Sequence, residues 1–577
     1  MPRRGLSISE ALALLEEIPS DPESEIPGDT TDDEDYAPPQ SPTEPPPDDF
    51  DEDSDETDED INLPGPSQPV NVIWRKKQSV NRQNPEFNSE TGPSSEIMEM
   101  QDPSPIGLFF AIISVAFMEK IIFQTNLYAT QSGKSYSQLT LGELYLFLAI
   151  NILMGIKKLP SYRDFWSSNE LLHDNIIARQ MPVKRFSWIL SHLHLNDNSL
   201  QPNRDAKDYD KLYKVRPFLF HLSERFESIF RPGKCQAIDE SMIKFKGRSS
   251  LKQYMPKKPI KRAYKVWMRC DESGFACQFE IYMGKTKDAE KNLGERVVKL
   301  LSEKLYGKNH RLYMDNYFTS YELFRFLETK NVYCSGTVNI SRKNIPKNFT
   351  EDKRMKRGEF EWQVSNENIV CVKWKDKRCV SLLSTQDDPV KIISVQRREK
   401  NGTKINVPCP QVVADYNRNM GFVDHFDHLK SLYEIDRKSK KWWHCIFFHF
   451  LDSAIVNAFI IYKMLPNSDK ELKIMKNFRL DIVRCLMMMG NEGEPRKRLS
   501  KGISPTTIKK HRLHVPDEKR FQDVKHLPVK CKPRQCAFCS TTQKLHTTRW
   551  MCETCNVGLC MLQKGITCFQ KFHGKTK

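Results

Sequence analysis

Apolar residues along this chain follow two different periods, and the places where the period changes divide it. From Ser104 to about Arg231 they recur at three and four, first along Ile106 to Leu127 and again along Leu144 to Ile156. That spacing predicts amphipathic helices, and Thr140 with Glu143 three residues on is a capping-box signature for the second. At Lys234 the pattern shortens to strand-like runs: Cys235 to Phe245, Ala263 to Cys270 and Phe275 to Tyr282. The last two are joined by Asp271-Glu272-Ser273-Gly274, a hairpin signal. A helical stretch, Ala289 to Tyr306, and a strand, Arg311 to Met314, follow, so this part reads as mixed α/β. Between Ser341 and about Pro410, basic turns (Lys353, Arg354, Lys356, Arg357) alternate with β runs such as Ile369 to Trp374 and Cys379 to Leu383, which predicts a small β-rich unit. Helical periodicity returns from Val423 to Met489.

The apolar runs Gly107 to Phe117 and Cys445 to Leu465 are read as buried helices. The first is too short to span a bilayer, and the second carries His449, Asp452 and Asn457. The first 103 residues are rich in Asp, Glu, Pro and Ser and predict disorder, because they cannot bury enough surface to offset ordering entropy. Within them Trp74 to Lys77 is a basic island, read either as a DNA or import-receptor contact or as a solvated patch. The opening MPRRGLSISEALALLEE is interrupted by Glu10, Glu16 and Glu17, which favours a short amphipathic helix over a secretion signal. Pro495 to His514 reads as a basic linker whose Arg496-Lys497-Arg498 suits nuclear import, so a nuclear location is expected.

At 577 residues and 39% hydrophobic content the chain is long enough for several cores. Its formal charge is +15 although acids crowd Asp48 to Asp60, so the folded body is the basic part and a polyanion such as nucleic acid is the expected partner. With no export signal, the 16 cysteines belong to a reducing compartment, where spaced pairs point to metal. Cys270, Cys277 and Cys334 sit in strand patterns and read as core.

Three aspartates stand where strands or strand-like runs end: Asp239, Asp315 and Asp424. Carboxylates on neighbouring strand ends can hold a pair of Mg²⁺ or Mn²⁺ ions for phosphoryl transfer on DNA. An aspartate ending a strand is also a common turn or cap, so residue type alone leaves both readings standing. The surrounding residues add to this. Ile238-Asp239-Glu240-Ser241-Met242 with Phe245-Lys246-Gly247-Arg248, Tyr254-Met255-Pro256-Lys257-Lys258-Pro259, Met314-Asp315-Asn316-Tyr317-Phe318-Thr319-Ser320, and Asp415-Tyr416-Asn417 through Asp424 resemble, in order and spacing, the piggyBac family of transposases. The resemblance runs from about Ser104 to the C-terminus.

The resemblance implies a multidomain α/β protein: a ribonuclease H-like catalytic core, a split helical DNA-binding and dimerisation domain, a β-rich insertion and a C-terminal cross-brace zinc finger. The expected boundaries are 1–103 acidic and disordered, 104–233 helical, 234–340 catalytic core, 341–410 insertion, 411–431 core again, 432–494 helical again, 495–530 basic linker and 531–577 cysteine-rich. It also implies that Asp239, Asp315 and Asp424 are the metal ligands, with Asp427 a supporting carboxylate. The implied activity is cut-and-paste transposition by a homodimer or higher assembly on double-stranded DNA, joining ends at TTAA. The family usually has two glycines before the third aspartate, and Phe422 replaces the second, so a tight backbone path there would be closed to this chain.

Two basic-aromatic clusters are candidate DNA contacts: Arg248, Lys257, Lys258, Lys261 and Arg262 after the first aspartate, and Arg437, Lys438, Lys440, Lys441 and Trp442 at the start of the later helical segment. At the end of the chain, Cys536, Cys539, Cys552, Cys555, Cys560, Cys568 and His573 have the spacing of two zinc sites. Seven ligands leave one position open, assigned to His546 with Cys531 as the alternative. The spacing is similar to RING and PHD cross-braces, and piggyBac transposases carry a related domain that recognises transposon ends. The rival readings are a host-adopted DNA- or chromatin-binding protein that no longer cuts, and a ubiquitin ligase built on the finger.

Overall fold

The structure is a computed structural model. It describes residues 72–76, 80, 85–133, 135–256, 258, 260–284, 292–399, 402–437, 439, 441–466, 468–492, 515, 520–521, 526–540, 546–561 and 565–574. The expected N-terminal helix, the acidic tract, the import motif and Lys257, Lys438 and Lys440 lie outside the described residues. The strands are β1 (Trp74–Lys76), β2 (Gly92–Pro93), β3 (Phe230–Arg231), β4 (Cys235–Lys244), β5 (Gln253–Tyr254), β6 (Arg262–Asp271), β7 (Ala276–Ile281), β8 (Arg311–Met314), β9 (Tyr333–Thr337), β10 (Phe360–Ser365), β11 (Val370–Lys375), β12 (Cys379–Ser384), β13 (Ile392–Arg398), β14 (Lys404–Pro410), β15 (Pro528–Gln535) and β16 (Thr547–Cys552). The α-helices are α1 (Ser95–Met98), α2 (Pro105–Ile112), α3 (Val115–Gln131), α4 (Leu141–Ile156), α5 (Asn175–Gln180), α6 (Val183–His192), α7 (Arg216–Ile229), α8 (Leu293–Ser302), α9 (Tyr321–Thr329), α10 (Gln411–Asn419), α11 (Phe422–Ser431), α12 (Trp442–Met464), α13 (Met475–Asn491) and α14 (Cys568–His573).

Local chemistry sets several of these boundaries. Ser104 caps α2 by accepting from the Gly107 N–H, and Pro105 follows at the first helical position, where its missing N–H costs nothing. The apolar run from Gly107 to Phe117, read as one helix, breaks at Ser114, which caps α3, and the two helices meet at a 60° bend. The capping box of Thr140 and Glu143 opens α4 as expected.

A ten-stranded mixed sheet runs β1-β10-β11-β12-β9-β8-β4-β6-β5, with β7 also paired to β6. β4, β8 and β9 are mutually parallel, while β6 folds back antiparallel on β4 and β7 antiparallel on β6. Strands β10 to β12, from the stretch read as a separate β-rich unit, continue this same sheet through the β12–β9 pairing, and β13 with β14 forms a hairpin of its own. Part of the stretch expected to be disordered is ordered. β1 joins the sheet edge because the Trp74 indole packs edge-on against Tyr321 at 5.9 Å and donates to the Asn344 carbonyl. One bulky residue here outweighs the polar average of the segment around it.

The sheet is covered on both faces. On one, Ile238 and Trp267 pack with α8 and α9; on the other, Ile243, Tyr264, Val266, Met268 and Phe279 merge into a single core with α2 to α4, α7 and α11 to α13. Helix α12 runs through the middle of that second core. By length and composition it is long and apolar enough to cross a membrane, yet 94% of its most apolar window is buried inside the fold. Its two most deeply placed amide and acid side chains find partners there. Asn457 pairs with both backbone groups of Ala276 at 3.0 Å, closing the open edge of β7. Asp452 accepts from the Ile435 N–H at 2.7 Å and from Arg479 of α13 at 2.7 Å, both side chains being fully buried.

Removing one partner of such a pair leaves a buried charge uncompensated. Arg479→Leu is therefore expected to cost about 3–5 kcal/mol, read as a lowered urea midpoint of the folded body. An unchanged midpoint would contradict the role given to this pair.

Candidate active site and metal centres

Parallel pairing of β4 with β8 puts Ile238 opposite Met314; Asp315 follows directly where β8 ends, beside Asp239, which lies inside the ten-residue β4 and not at a strand end as expected. The Asp315 loop is tightly built. Its carboxylate accepts from the Tyr317 N–H at 3.0 Å and its carbonyl from the Thr319 hydroxyl at 2.8 Å, while Arg342 donates to the Thr319 and Tyr317 carbonyls. Gly336 of β9 lies against this loop. A Cβ there would meet the Thr319 hydroxyl and the Met314 carbonyl, the latter at 2.9 Å, so only glycine allows the approach.

Asp424 differs from its expected setting. It is in the first turn of α11, not at a strand end, where a carboxylate is favoured by the free N–H groups of the helix. Phe422 is the first residue of that helix, its φ is not among the positive ones, and its ring packs on the main core. Gly421 has open space around its Cβ position and an ordinary φ of −79°. The tight path that a second glycine was expected to serve is not part of this backbone, so Phe422 carries no strain.

Asp239 senses the other two carboxylates. Burial is the main force raising Asp239, to about 7, and the charges of Asp315 and Asp424 add to it against a 2.8 Å bond from the Glu240 N–H. Asp315 is raised too, first by burial and then by Glu240. Clustered acids, Asp239 and Asp315 half-buried and Asp424 exposed, are relieved of repulsion by a cation, and an all-oxygen set suits a hard divalent ion. Glu240 points to the other side of β4, where it pairs with Lys265 at 2.6 Å and Lys258 at 3.7 Å. Lys265 also lies 5.0 Å from the Tyr317 ring centre. It was missed in the sequence because nothing marks a lone lysine inside a strand. Asp427, one turn after Asp424, accepts from the Ser241 hydroxyl at 2.7 Å and pairs with Lys430 at 3.1 Å.

The two basic clusters behave differently. Arg248, Lys258, Lys261 and Arg262 are all exposed; Lys258 acts on Asp239 and Asp315, and Arg262 lies 5.9 Å from the Tyr254 ring centre. In the second cluster Arg437 is drawn inward: its guanidinium lies 5.2–5.7 Å from the ring centres of Phe186, Tyr162 and Phe448, and burial brings its pKa down to about 10. It anchors the helical core instead of offering a free DNA contact. Lys441 donates to the Ser191 carbonyl at 2.6 Å, and Trp442 packs half-buried on the same core.

The cysteine-rich tail forms two four-ligand clusters, each with all ligand atoms within 4.8 Å: Cys536, Cys539, Cys560 and Cys568, and His526, Cys552, Cys555 and His573. Tetrahedral ligands about 2.0–2.3 Å from zinc stand about 3.3–3.8 Å apart. The Cys539–Cys560 sulfurs are 3.7 Å apart, and Cys555 Sγ is 3.5 Å from both His526 Nδ1 and His573 Nε2. His573 Nδ1 is bonded to the Phe569 carbonyl, which leaves Nε2 for a metal. Hydrogen bonding from Cys555 is the largest cause holding Cys552 down to about 3, the thiolate form a metal needs. Alternate pairs share a site, as a cross-brace requires, but the eighth ligand is His526. His546 and Cys531 belong to neither cluster: the His546 backbone bonds to Cys536 and Ser540, and Cys531 sits in β15. His526 stands ahead of the first pair and is brought in by the β15–β16 pairing, which no ligand spacing reveals. Cys270, Cys277 and Cys334 are buried in the sheet core.

These features define a class before they define a protein. The model of the family described as Transposase IS4 matches residues 104–459, more than half of the chain. The chain is 28% identical over 481 residues to the Homo sapiens PiggyBac transposable element-derived protein 2, covering 81% of this chain and 77% of that one. It is 29% identical over 494 residues to the Homo sapiens PiggyBac transposable element-derived protein 3, covering 83% and 78%. The solved piggyBac transposase synaptic complex with hairpin DNA shares the fold, with a TM-score of 0.60 and 22% identity over 82% of this chain and 99% of that one. The chain belongs to the piggyBac family of transposases.

Metal content tests the reassigned ligand. His526→Ala is expected to lower bound zinc by about half, measured by atomic emission, while His546→Ala leaves it unchanged. The opposite result would restore His546. At the active site, Phe422→Gly should lower the melting temperature, because it removes a packed ring and adds chain entropy at a helix start; a rise would show that the ring is strained.

Proposed function

We propose that this protein is a cut-and-paste DNA transposase whose Asp239, Asp315 and Asp424 hold two divalent ions, Mg²⁺ or Mn²⁺, in a ribonuclease H-like core. The observation that carries the reading is the convergence of three carboxylates from the middle of β4, the end of β8 and the start of α11, with Asp315 and Asp424 both acting on Asp239. The core's strand order, β7-β6-β4-β8-β9 with β6 alone of the five running antiparallel to the others, supports the ribonuclease H-like description. When bound, the ions supply Lewis-acid stabilisation of the attacking and leaving oxygens. The protein's part is placement: Arg248, Lys258, Lys261 and Arg262 line the approach and hold DNA phosphates, and Glu240 keeps Lys265 and Lys258 beside the aspartates. Water attack frees the transposon 3′ ends, the 3′-OH attacks the opposite strand to give a hairpin, and the reopened ends join TTAA targets. The cross-brace domain holds two zinc ions and reads the terminal repeats, and the protein works in the nucleus as a homodimer or higher assembly.

A second reading, a transposase-derived DNA- or chromatin-binding protein that no longer cuts, is favoured by one observation: the human relatives are named as transposable element-derived proteins. An excision assay on a donor plasmid with matching terminal repeats separates the two. Asp315→Ala is expected to reduce Mg²⁺-dependent excision by about a thousandfold or more while leaving end binding intact. Intact protein that binds the ends and leaves the donor uncut would establish the second reading.

A further inference from the structure

Helix α11 carries Asp424 yet has no side-chain cap bond at its start, so something else must fix where its first turn points. Asp424 and Asp427, three apart, lie on one face of the helix, and Asp239 and Ser241, two apart, on one face of β4. The 2.7 Å bond from Ser241 to Asp427 closes these four residues into a frame, which sets the separation of Asp239 from Asp424. Behind the frame is Lys430, only 5% exposed, 3.1 Å from Asp427 and 3.0 Å from His449 Nδ1 of α12. A buried ammonium is tolerated only where it is paired and hydrogen-bonded, and these two groups are the partners that α11 and α12 give it. The other ring nitrogen of His449 is buried with no hydrogen-bond partner, so Nδ1 is the ring's polar task.

We infer that Ser241, Lys430 and His449 are positioning residues that hold Asp427, and through it Asp424, at the spacing the metal pair requires. The relay Ser241–Asp427–Lys430–His449 ties the catalytic strand to the central helix of the helical body, so that metal affinity depends on a residue of α12. This inference rests on the proposed metal role of the three aspartates.

Mn²⁺ binding, followed by loss of the free-ion paramagnetic resonance signal, tests it on the full chain with zinc bound, at a temperature where circular dichroism shows every variant folded. Asp239→Asn defines the share of binding that belongs to the catalytic site. Ser241→Ala and His449→Leu preserve the charge of the aspartates and Lys430, and each is expected to weaken that share by about tenfold or more, the range found for residues that orient metal ligands. His449→Asn keeps an acceptor at the Nδ1 position and is expected to restore binding to within about threefold of the parent, a difference that loss of packing alone would not produce. Equal Mn²⁺ binding by the parent and Asp239→Asn would remove the metal role itself, and this inference with it. If Asp239→Asn loses the ions while Ser241→Ala and His449→Leu bind like the parent, the metal role stands and the relay is refuted. Equal weakening by His449→Asn and His449→Leu would refute the role of the Nδ1 acceptor.

Discussion

The fold depends on polar groups that a hydrophobic helix carries into the core. Helix α12 is apolar nearly all round, and packing alone would leave it free to slide or rotate among similar neighbours. Asp452, held by Arg479 and the Ile435 N–H, fixes it to α13 and to the chain leading out of α11. Asn457 pairs with the backbone of Ala276 like a further strand, which fixes it to β7. Because unpaired polar groups in such a core cost more than misplaced methyl groups, these contacts select one arrangement. The helical body and the sheet thereby share a single core.

That coupling has a consequence for the site. Two of the three aspartates, Asp239 within β4 and Asp315 just past β8, have a spacing the sheet sets, but the third comes from a ten-residue helix that only packing and the Ser241–Asp427 bond orient. The site is thus only as well defined as the seating of α11 on α12. The cysteine-rich domain is built differently: its small core combines the clustered cysteines with Val557, Leu559, Phe569 and Phe572 and with Leu127 of α3, so metal and fold would stand together there.

The membership of the piggyBac family and the mixed α/β architecture were legible from short motifs and from changes of period, and the seven spaced ligands from their spacing. Motifs survive in sequence because their residues are close together along the chain. What escaped depended on contacts between distant segments. His526 reaches its cluster through strand pairing, Arg437 turns into an aromatic cage built by three other segments, and β10 to β12 extend the central sheet because β9 offers a free edge. Lys265 and Lys430 carried no signal at all, since a single lysine in a strand or helix is ordinary until its partners are known.

Asp424 shows where that division falls. By itself the sequence determined that an acidic residue follows Gly421-Phe422-Val423 in a motif shared with a transposase family, and it raised the objection that phenylalanine replaces a glycine. Only the tertiary structure decided that this segment opens a helix, where phenylalanine at the first position has no positive φ and the acid lies in the first turn. Residue identity is a local property and a motif records it. Backbone conformation at such a point is settled by what the segment packs against, and here that is the β4 face and the buried helix α12.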